Sequence, residues 1–542
     1  MELQQFPVLS ILLLLPLLGL VVVLAIPSRS TKWLRIGAVA AAMLPLALSI
    51  WLYVDYDKVQ GHFDYREQVD WVSVPLNTEV LSEVGEAEFS FQYAVGIDGM
   101  SLSLLLLTTI VTAMAGLAAV QIKKRRKAFY AWFFILEFAM LGVFMAQDLF
   151  LFFIFFEITL VAAYFLIGIW GFFNREKAAN QFLIYNGIGS AVMLVAFVIL
   201  VNTAGFRIED ANGVLHMVYS GSYSTIIQQL SDPAAWANMS PVQAGGINPF
   251  YLTDGMKWTM FTLLLIAFAI KLPVFPFHTW MLKVHKEAPH PVVMIHSAIL
   301  LKMGAYGLLR YGVLLFPEQA KAGALTLAIL GLVNLLYGAW LAFRQQDFKL
   351  VLAYSSVSHM GIVLLGIAAM NEIGMQGAIV QMVSHGLISA LLFLIVGTLY
   401  ERTETTELSK LGGLARSMPF MSGMLLVAGL ALAGIPGLSG FIGELLALLG
   451  VMESMKPVAI IGAAGLVLTA VYVMRSVLRI TYGKQPEWLA AKKDVRLIEA
   501  LPMIILLSFI VLLGCYPSVL TDKLDFSATA YIQHLLALRT GG

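Results

Sequence analysis

Four ionisable residues lie deep inside long apolar stretches of this 542-residue sequence: Glu157, Lys271, Lys302 and Glu444. A charged group near the centre of a bilayer costs about 2.5–3.5 kcal/mol on insertion scales, so each must face protein or water and find a partner. Carboxylate and amine groups in partial burial can gain and lose a proton at modest cost. Their placement therefore predicts proton or ion movement through a membrane.

Three histidines extend this set of residues. His359 and His385 lie in the middle of apolar stretches between Lys302 and Glu444, and His278 follows a stretch that prolines interrupt. Imidazole titrates closest to neutral pH, which suits a proton relay. We predict that these histidines and the four buried charges form one polar track. The alternative for each is structural: an ion pair that locks two helices, or a core histidine bonded to backbone.

Other ionisable residues leave both interpretations open. Glu137 either pairs with a neighbouring helix or forms a side branch of the track, and Arg310 is interpreted as an anchor at the membrane interface. A cluster near the end of the seventh apolar stretch is interpreted as a gate or a region of proton uptake, with a metal site as the alternative. It contains His285, His290, His296 and Lys286.

The composition excludes most other classes of protein. Hydrophobic residues make up 59% and charged residues 12%, against about 25% charged in soluble domains, and the mean hydropathy is +0.84. A net charge of +1 offers no field for nucleic acid. Cys515 is the single cysteine, which excludes an internal disulfide framework, a multi-cysteine zinc site and an iron–sulfur cluster built from the chain's own thiolates. We predict a polytopic membrane protein with an all-α fold.

A membrane-spanning helix needs about 20 mostly apolar residues, and fourteen stretches meet this length. They are residues 7–26, 36–54, 97–120, 128–146, 148–172, 178–203, 257–284, 291–316, 322–343, 348–370, 374–399, 420–450, 457–482 and 497–515. If the N-terminus lies outside the cell, most of the 34 Lys and Arg residues fall on the cytoplasmic side. We expect a bacterial plasma membrane protein with both termini outside, and no cleaved signal peptide.

The order of the stretches predicts four regions. Residues 1–127 form an N-terminal three-helix segment, 128–316 and 317–482 form two five-helix units, and 483–542 hold the last helix and an outer C-terminal segment. The long connections 55–93 and 204–256 are interpreted as extramembrane loops without chemistry of their own. A short helix is expected over 526–539.

The two five-helix units show a faint internal symmetry. Lys271 precedes Pro273 and Pro276 in the seventh stretch, and Glu444 follows a segment rich in glycine and proline in the twelfth. These stretches lie an odd number of spans apart, so the units are inverted relative to each other. Paired interrupted helices are typical of inverted-repeat transporters.

Several long motifs identify a family resemblance. They are AIKLPVFPFHTW, ILLKMGAYG, LAYSSVSHMG, MVSHGLISALLFLIVGTLYERT and GIPGLSGFIGE. Together they closely resemble the M-type subunits of bacterial NADH-quinone oxidoreductase (respiratory complex I), which belong to an antiporter-like family shared with Mrp cation/proton antiporters. The resemblance runs from about residue 95 to residue 450.

The resemblance implies fourteen helices, two inverted five-helix bundles with broken helices seven and twelve, and a central proton axis. It implies that Glu157 is the ion-pair partner of Lys271 and that Lys302 is the connecting lysine of the proton axis. It also implies that His359 and His385 are the bridging histidines of this axis, and that Glu444 is its terminal residue. Family members of the Mrp and N types usually carry Lys at this last position, so Glu favours the M type. The segment HTWMLKVHKEAPHP departs from the family pattern by Lys283 and His290.

These observations lead to one functional hypothesis. The chain moves protons outward, while partner membrane subunits and their NADH, flavin, iron–sulfur clusters and quinone supply redox energy. The chain itself is expected to hold no cofactor, no metal and no nucleic acid. The alternatives are an Mrp-type Na⁺ or K⁺/proton antiporter, the equivalent subunit of a membrane-bound hydrogenase or ferredoxin-linked complex, and an inactive scaffold.

Overall fold

The computed structural model describes residues 7–56, 64–76, 86–211, 214–243 and 245–524. They form a bundle of long helices with a small β-sheet at one end. We call this the sheet end; the opposite end, which carries the run Lys123–Lys127, is the basic end. The helix expected over 526–539 lies outside the described residues.

The helices, in chain order, are α1 (Val8–Ala25), α2 (Thr31–Asp55), α3 (Gly99–Ala118), α4 (Arg126–Met145), α5 (Leu149–Trp170), α6 (Arg175–Thr203), α7 (Tyr223–Ser231), α8 (Asp254–Lys271), α9 (Thr279–Glu287), α10 (His290–Ile295), α11 (Leu301–Gly307), α12 (Pro317–Ala322), α13 (Ala324–Arg344), α14 (Phe348–Ala368), α15 (Glu372–Thr403), α16 (Leu414–Ser417), α17 (Pro419–Leu432), α18 (Ser439–Ser454), α19 (Lys456–Tyr482), α20 (Glu487–Ala490) and α21 (Leu497–Cys515). Two π turns, His296–Leu300 and Leu308–Val313, join α10 and α11 into one continuous helix, His290–Val313.

Each of the fourteen predicted stretches coincides with helix, which confirms a predominantly helical membrane fold. Among the described residues, twelve helices are long and apolar enough to cross a membrane. The seventh stretch is occupied by the pair α8 and α9, and the twelfth by α17 and α18. The prediction of interrupted helices at these two places is confirmed, while the total of fourteen crossings stays a prediction.

The break in the seventh helix follows from its prolines. Helix α8 ends at Lys271, just before Pro273, because proline lacks the N–H that continues a helix. The freed backbone groups are satisfied by Asn334 of α13. Its Oδ1 accepts from the Phe275 N–H at 2.7 Å, and its Nδ2 donates to the Pro273 carbonyl at 3.3 Å. One amide from the second unit therefore holds the break in the first.

The break in the twelfth helix depends on glycine. Helix α17 ends at Leu432, and the connection to α18 contains Gly434 and Gly437 with φ of +70° and +91°, values that L-residues with a side chain rarely adopt. A Cβ on Gly434 would also overlap the carboxylate of Glu444. The glycines thus permit both the turn and the close approach of the carboxylate.

The helices that carry the buried lysines and histidines lie at the centre of the bundle. The most apolar 18-residue stretches of the helix His290–Val313 and of α15 consist entirely of buried residues, whereas only 39% of the residues of α1 are buried. Peripheral helices such as α1 present apolar side chains outward. This arrangement keeps the ionisable groups away from lipid.

The two long connections contain β-structure that the all-helical prediction did not include. The strands are β1 (Asp64–Pro75), β2 (Glu86–Ile97), β3 (Phe206–Ala211) and β4 (Val214–Ser220), in the order β1-β2-β4-β3. Strand β2 pairs in parallel with β4, so Glu88 is opposite Val218. A pairing between such distant segments leaves no local sequence pattern, which is why the sequence did not reveal it.

The sheet is joined to the helix ends by backbone hydrogen bonds. The N–H of Gln147 donates to the Ala94 carbonyl at 2.8 Å, and the N–H of Leu149 donates to the Gly221 carbonyl at 2.9 Å. These bonds connect both long connections to the junction between α4 and α5. The extramembrane segments therefore form a fixed cover over this end of the bundle.

Arg310 corrects one expectation from the sequence. It was expected at the membrane interface, but it is buried and forms an ion pair with Asp98 at 2.5 Å. Its guanidinium also lies 5.4 Å from the ring centroids of Tyr223 and Tyr306. The residue pairs internally because the cover formed by the long connections encloses it.

We predict that Asn334→Leu destabilises the protein by about 2–4 kcal/mol, because it leaves the buried Pro273 carbonyl without its partner, at about 1–3 kcal/mol, and removes the part-buried hydrogen bond from the Phe275 N–H, worth about 1 kcal/mol. Denaturant unfolding of the purified chain in detergent measures this change. Asn202→Leu is the control, since Asn202 is exposed and bonds only to its own helix. We call the two hydrogen bonds of Asn334 the Asn334 clamp. An Asn334→Leu variant as stable as the control would show that this clamp does not stabilise the break.

Candidate functional site

The Lys302 ammonium occupies the centre of the buried helix His290–Val313. Its Nζ donates to the Ser297 carbonyl at 2.7 Å and lies 2.7 Å from Nδ1 of His385 on α15. Lysine carries only donors, so an ammonium here requires His385 to accept at Nδ1. A proton on Lys302 therefore has a direct acceptor on the neighbouring helix.

The contact continues from His385 to His359 and then to Glu444. The two imidazole rings lie with centroids 5.1 Å apart, and His359 Nε2 is 3.4 Å from Glu444 Oε1. His359 Nδ1 lies 2.8 Å from the Ser355 carbonyl, so Nδ1 must donate. Its Nε2 lies 3.3 Å from the Leu432 carbonyl, which can only accept, so Nε2 also donates when this bond is made. Glu444 Oε1 has no hydrogen-bond partner among the described residues, and its contact with His359 is that of an ion pair if the imidazole is charged.

The support around His359 was not predicted. Tyr472 of α19 donates its hydroxyl hydrogen to Ser355 Oγ at 2.8 Å, and Ser355 Oγ lies 3.3 Å from His359 Nδ1. The motif YSSVSHMG places Ser355 one helical turn before His359, which is the one signal that the sequence offered. Only the fold brings Tyr472 to this position.

Lys271 lies in a different environment, at the C-terminal end of α8. Its Nζ is buried without a hydrogen-bond partner among the described residues. It lies 4.6 Å from the ring centroid of Phe156 and 5.6 Å from that of Phe182. Aromatic faces and the negative end of the helix dipole both attract a cation. The ammonium is held by these weaker interactions instead of a direct ion pair.

Glu157 of α5 is half-buried, and its Oε1 has no hydrogen-bond partner within the part of the chain that the structure describes. Its charge acts on Lys271, but across the described ranges the two side chains form no ion pair within 4 Å. Glu137 is fully buried on α4 and accepts the hydroxyl hydrogen of Thr112 at 2.7 Å. The structure thus gives Glu137 a neutral partner, and it shows a separated pair at Glu157.

A pair of histidines lies between the two lysines, where the sequence interpretation had placed only a gate or a region of proton uptake. His285 Nε2 and His296 Nδ1 are 3.0 Å apart, and both rings are buried. Both Lys271 and Lys302 act electrostatically on His296. The tight turn between α9 and α10 brings the two histidines together, and their positions on either side of EAPHP were the available signal.

The rest of that predicted cluster lies elsewhere. His290 packs against Phe172 and Tyr400, with ring centroids at 5.4 and 5.7 Å. Lys349 of α14 lies over the same two rings. Within the described residues, no group of three or more His, Cys, Asp or Glu side chains could hold a metal ion. The three histidines therefore divide between two sites.

His278 begins the helix after the seventh break. Its ring lies 5.2 Å from that of Tyr337 and 5.9 Å from that of Phe275, measured between centroids. Its Nδ1 is buried and has no hydrogen-bond partner in the described ranges. The structure therefore places His278 beside the break, among aromatic rings, and gives it no direct contact with either lysine.

Taken together, the geometry comprises one connected series and one separated group. Lys302, His385, His359 and Glu444 follow one another at contact distance. No hydrogen bond joins Lys271 to the His285–His296 pair within the described residues; the ring centroid of Phe182 lies 5.6 Å from Lys271 Nζ and 5.7 Å from the His296 centroid. The arrangement can pass protons through the first series by small side-chain movements.

Comparisons with known proteins give a consistent assignment. The family model described as NADH:quinone oxidoreductase/Mrp antiporter, transmembrane, matches residues 146–470. The NAD(P)H-quinone oxidoreductase chain 4 2 of Thermosynechococcus vestitus is 37% identical over 98% of this chain and 93% of its own length. Chain 4 1 of Synechococcus sp. strain JA-2-3B'a(2-13) is 36% identical, with the same shares covered.

Solved structures agree with this assignment. A chain of respiratory complex I from Thermus thermophilus with bound NADH superposes with a TM-score of 0.79 at 27% identity, covering 97% of this chain and 99% of that chain. A chain of an archaeal membrane-bound sulfane sulfur reductase gives 0.77 at 25% identity, covering 95% and 77%. The chain belongs to the NADH:quinone oxidoreductase/Mrp antiporter transmembrane family, and its resemblance to the chain 4, or M-type, subunits is confirmed.

Proposed function

We propose that this chain is the proton-translocating, chain 4-type membrane subunit of an NAD(P)H-quinone oxidoreductase. Its relatives carry that name over nearly their full length. The observation that carries the proposal is the buried series Lys302–His385–His359–Glu444, in which each group contacts the next. Such a series is costly in lipid and serves a proton path directly.

The first step is electrostatic and involves Glu157 and Lys271. A change of charge in a neighbouring subunit alters the attraction between this carboxylate and the ammonium. Two unit charges about 5 Å apart interact by about 3 kcal/mol at an effective dielectric constant near 20. This exceeds the roughly 2.3 kcal/mol needed to move one charge against 100 mV. A single pair is therefore sufficient in magnitude to drive one proton.

The second step carries the proton from Lys271 to Lys302. Because the Lys271 ammonium has no hydrogen-bond partner in the described ranges, it has little to hold its proton once Glu157 is neutralised or displaced. The His285–His296 pair lies between the two lysines and offers nitrogen acceptors. The ring of Phe182 lies close to both Lys271 and His296. In this proposal the proton passes the ring when Phe182 moves or when water enters beside it, which allows the step to be gated.

The third step passes the proton from Lys302 through the two bridging histidines to Glu444. Lys302 loses its proton to His385 Nδ1, and His385 and His359 exchange through their adjacent rings. His359 delivers the proton to Glu444, which releases it on the outer side of the membrane. The inferred direction follows the predicted orientation, with the basic end in the cytoplasm and both termini outside a bacterial plasma membrane.

Electron transfer takes place in other subunits under this proposal. A chain with one cysteine cannot supply the ligands of an iron–sulfur cluster from its own thiolates. NADH, flavin, iron–sulfur clusters and quinone are therefore assigned to partner subunits, and this chain contributes proton transfer alone. Its partners are the other membrane subunits of the complex and the lipid bilayer.

Two alternatives use the same fold with a different energy source. An Mrp-type antiporter would exchange Na⁺ or K⁺ for protons without a redox partner. The similarity to a chain of the sulfane sulfur reductase favours, as the second candidate, a related complex with another electron-transfer module. Cation/proton exchange by the chain expressed alone would support the antiporter. The redox subunits that copurify with the native chain distinguish the two complexes.

We predict that Lys271→Ala in the assembled complex abolishes proton pumping that depends on this subunit, because it removes the ammonium on which the Glu157 charge acts. The proton-to-electron ratio in proteoliposomes measures the effect, and assembly should be preserved. Lys321→Ala is the control, since Lys321 is exposed at the sheet end. An unchanged ratio in Lys271→Ala would defeat the proposal.

We further predict that His296→Leu lowers the proton-to-electron ratio, because it removes the nitrogen between Lys271 and Lys302. His290→Leu is the control: this histidine is partly buried and packs against Phe172 and Tyr400, and no hydrogen bond joins it to Lys271 or Lys302 within the described residues. Both substitutions replace an imidazole with the same apolar side chain, and the unfolding midpoint of each variant is measured so that a loss of stability is recognised. Equal ratios in the two variants would remove His296 from the path.

A further inference from the structure

A cleft of about 360 Å³ opens at the basic end of the bundle, between the α1–α2 turn and the α3–α4 turn. One side carries basic residues and the other carries hydroxyl groups; these are Lys123, Arg125, Arg126, Lys127, Ser28 and Thr31. The volume is roughly twelve times the share of one water in the liquid, which is about 30 Å³. The cleft can therefore hold a group larger than a single ion.

Positive charge converges on this cleft from the backbone as well as from the side chains. Helix α2 begins at Thr31 and α4 begins at Arg126, and neither helix has a side-chain cap or an acidic residue in its first turn. The first N–H groups of a helix lack partners within it, and they carry the positive end of its dipole. Basic side chains beside two such ends repel one another unless an anion is present.

The basic side chains around the cleft lack acidic partners. Arg125, Arg126 and Lys127 have no carboxylate within 4 Å among the described residues, although Arg126 Nε donates to the Ile122 carbonyl at 2.8 Å. One turn along α4 from Arg126, Tyr130 is only 1% exposed, and its hydroxyl has no hydrogen-bond partner in the described part of the chain. The positive charge of the cleft is thus not neutralised by carboxylates of the described residues.

An apolar surface continues from the cleft along α2. Trp33 and Ile36 are 66% and 48% exposed, one and two turns into the helix. We propose that the cleft binds the phosphate-bearing headgroup of an anionic phospholipid, with its acyl chains lying along α2. The apolar surface favours a lipid over free phosphate, because a phosphate ion would use only the basic part of the site. Basic residues at such sites attract anionic lipid by about 1 kcal/mol each.

Native mass spectrometry of the full chain in detergent tests this proposal. Phosphatidylglycerol should bind, whereas phosphatidylcholine and inorganic phosphate should not compete with it. The combined variant Arg125→Gln, Arg126→Gln and Lys127→Gln should bind phosphatidylglycerol about 100-fold more weakly. Equal binding of phosphatidylcholine, or displacement of the lipid by millimolar inorganic phosphate, would overturn the assignment to an anionic lipid.

Two further variants separate the cleft from general charge and from folding. Lys492→Gln with Lys493→Gln removes exposed basic residues outside the cleft and should leave binding unchanged. Arg126→Gln alone, a single substitution, should weaken binding about fivefold. Wild-type affinity in both the triple and the single variant would refute the site. The measurement involves no proton pumping, so its outcome is independent of the proposed function.

Discussion

The cost of burying charge in a membrane is the constraint on which the rest of this structure depends. Each ionisable group on the axis is placed where a polar partner, a helix end or an aromatic face reduces that cost. Lys271 ends the half-helix α8, Lys302 donates to the Ser297 carbonyl, and Glu444 lies against the glycine turn of the second break. The two interrupted helices and the central position of the buried helices are both consequences of this constraint.

The two halves of the axis meet the constraint differently. In the second half, Lys302, His385, His359 and Glu444 each contact the next residue of the series, and the proposed path passes a proton between these neighbours. In the first half, Lys271 is held by aromatic rings and a helix end, and the Glu157 charge acts from a distance. The weakly held Lys271 ammonium is therefore more sensitive than Lys302 to a change in nearby charge. In the proposed mechanism, this difference assigns the control of proton transfer to Lys271 and its conduction to the series that begins at Lys302.

Contacts away from the buried ionisable residues fix the helices that carry those residues. The sheet pins the junction of α4 and α5 by backbone hydrogen bonds, and α5 carries Glu157. The Arg310–Asp98 ion pair closes the sheet end of the helix that carries Lys302. Asn334 links the break beside Lys271 to the second unit. The positions of the buried ionisable residues are therefore set by contacts in which those residues take no part.

The sequence by itself determined the helical class, the places of the helices, the two breaks and the identity of the buried charges. Hydrophobic stretches, prolines and glycines are local signals, and an ionisable residue in an apolar stretch is conspicuous without any structure. The sequence motifs also identified the family. The His285–His296 pair, the support of His359 by Tyr472 and the Asn334 clamp were decided by tertiary structure alone. Each joins residues from different helices, and a local pattern does not record which helix faces which. The sheet was missed for the same reason, since β2 and β4 pair across more than a hundred residues of intervening chain.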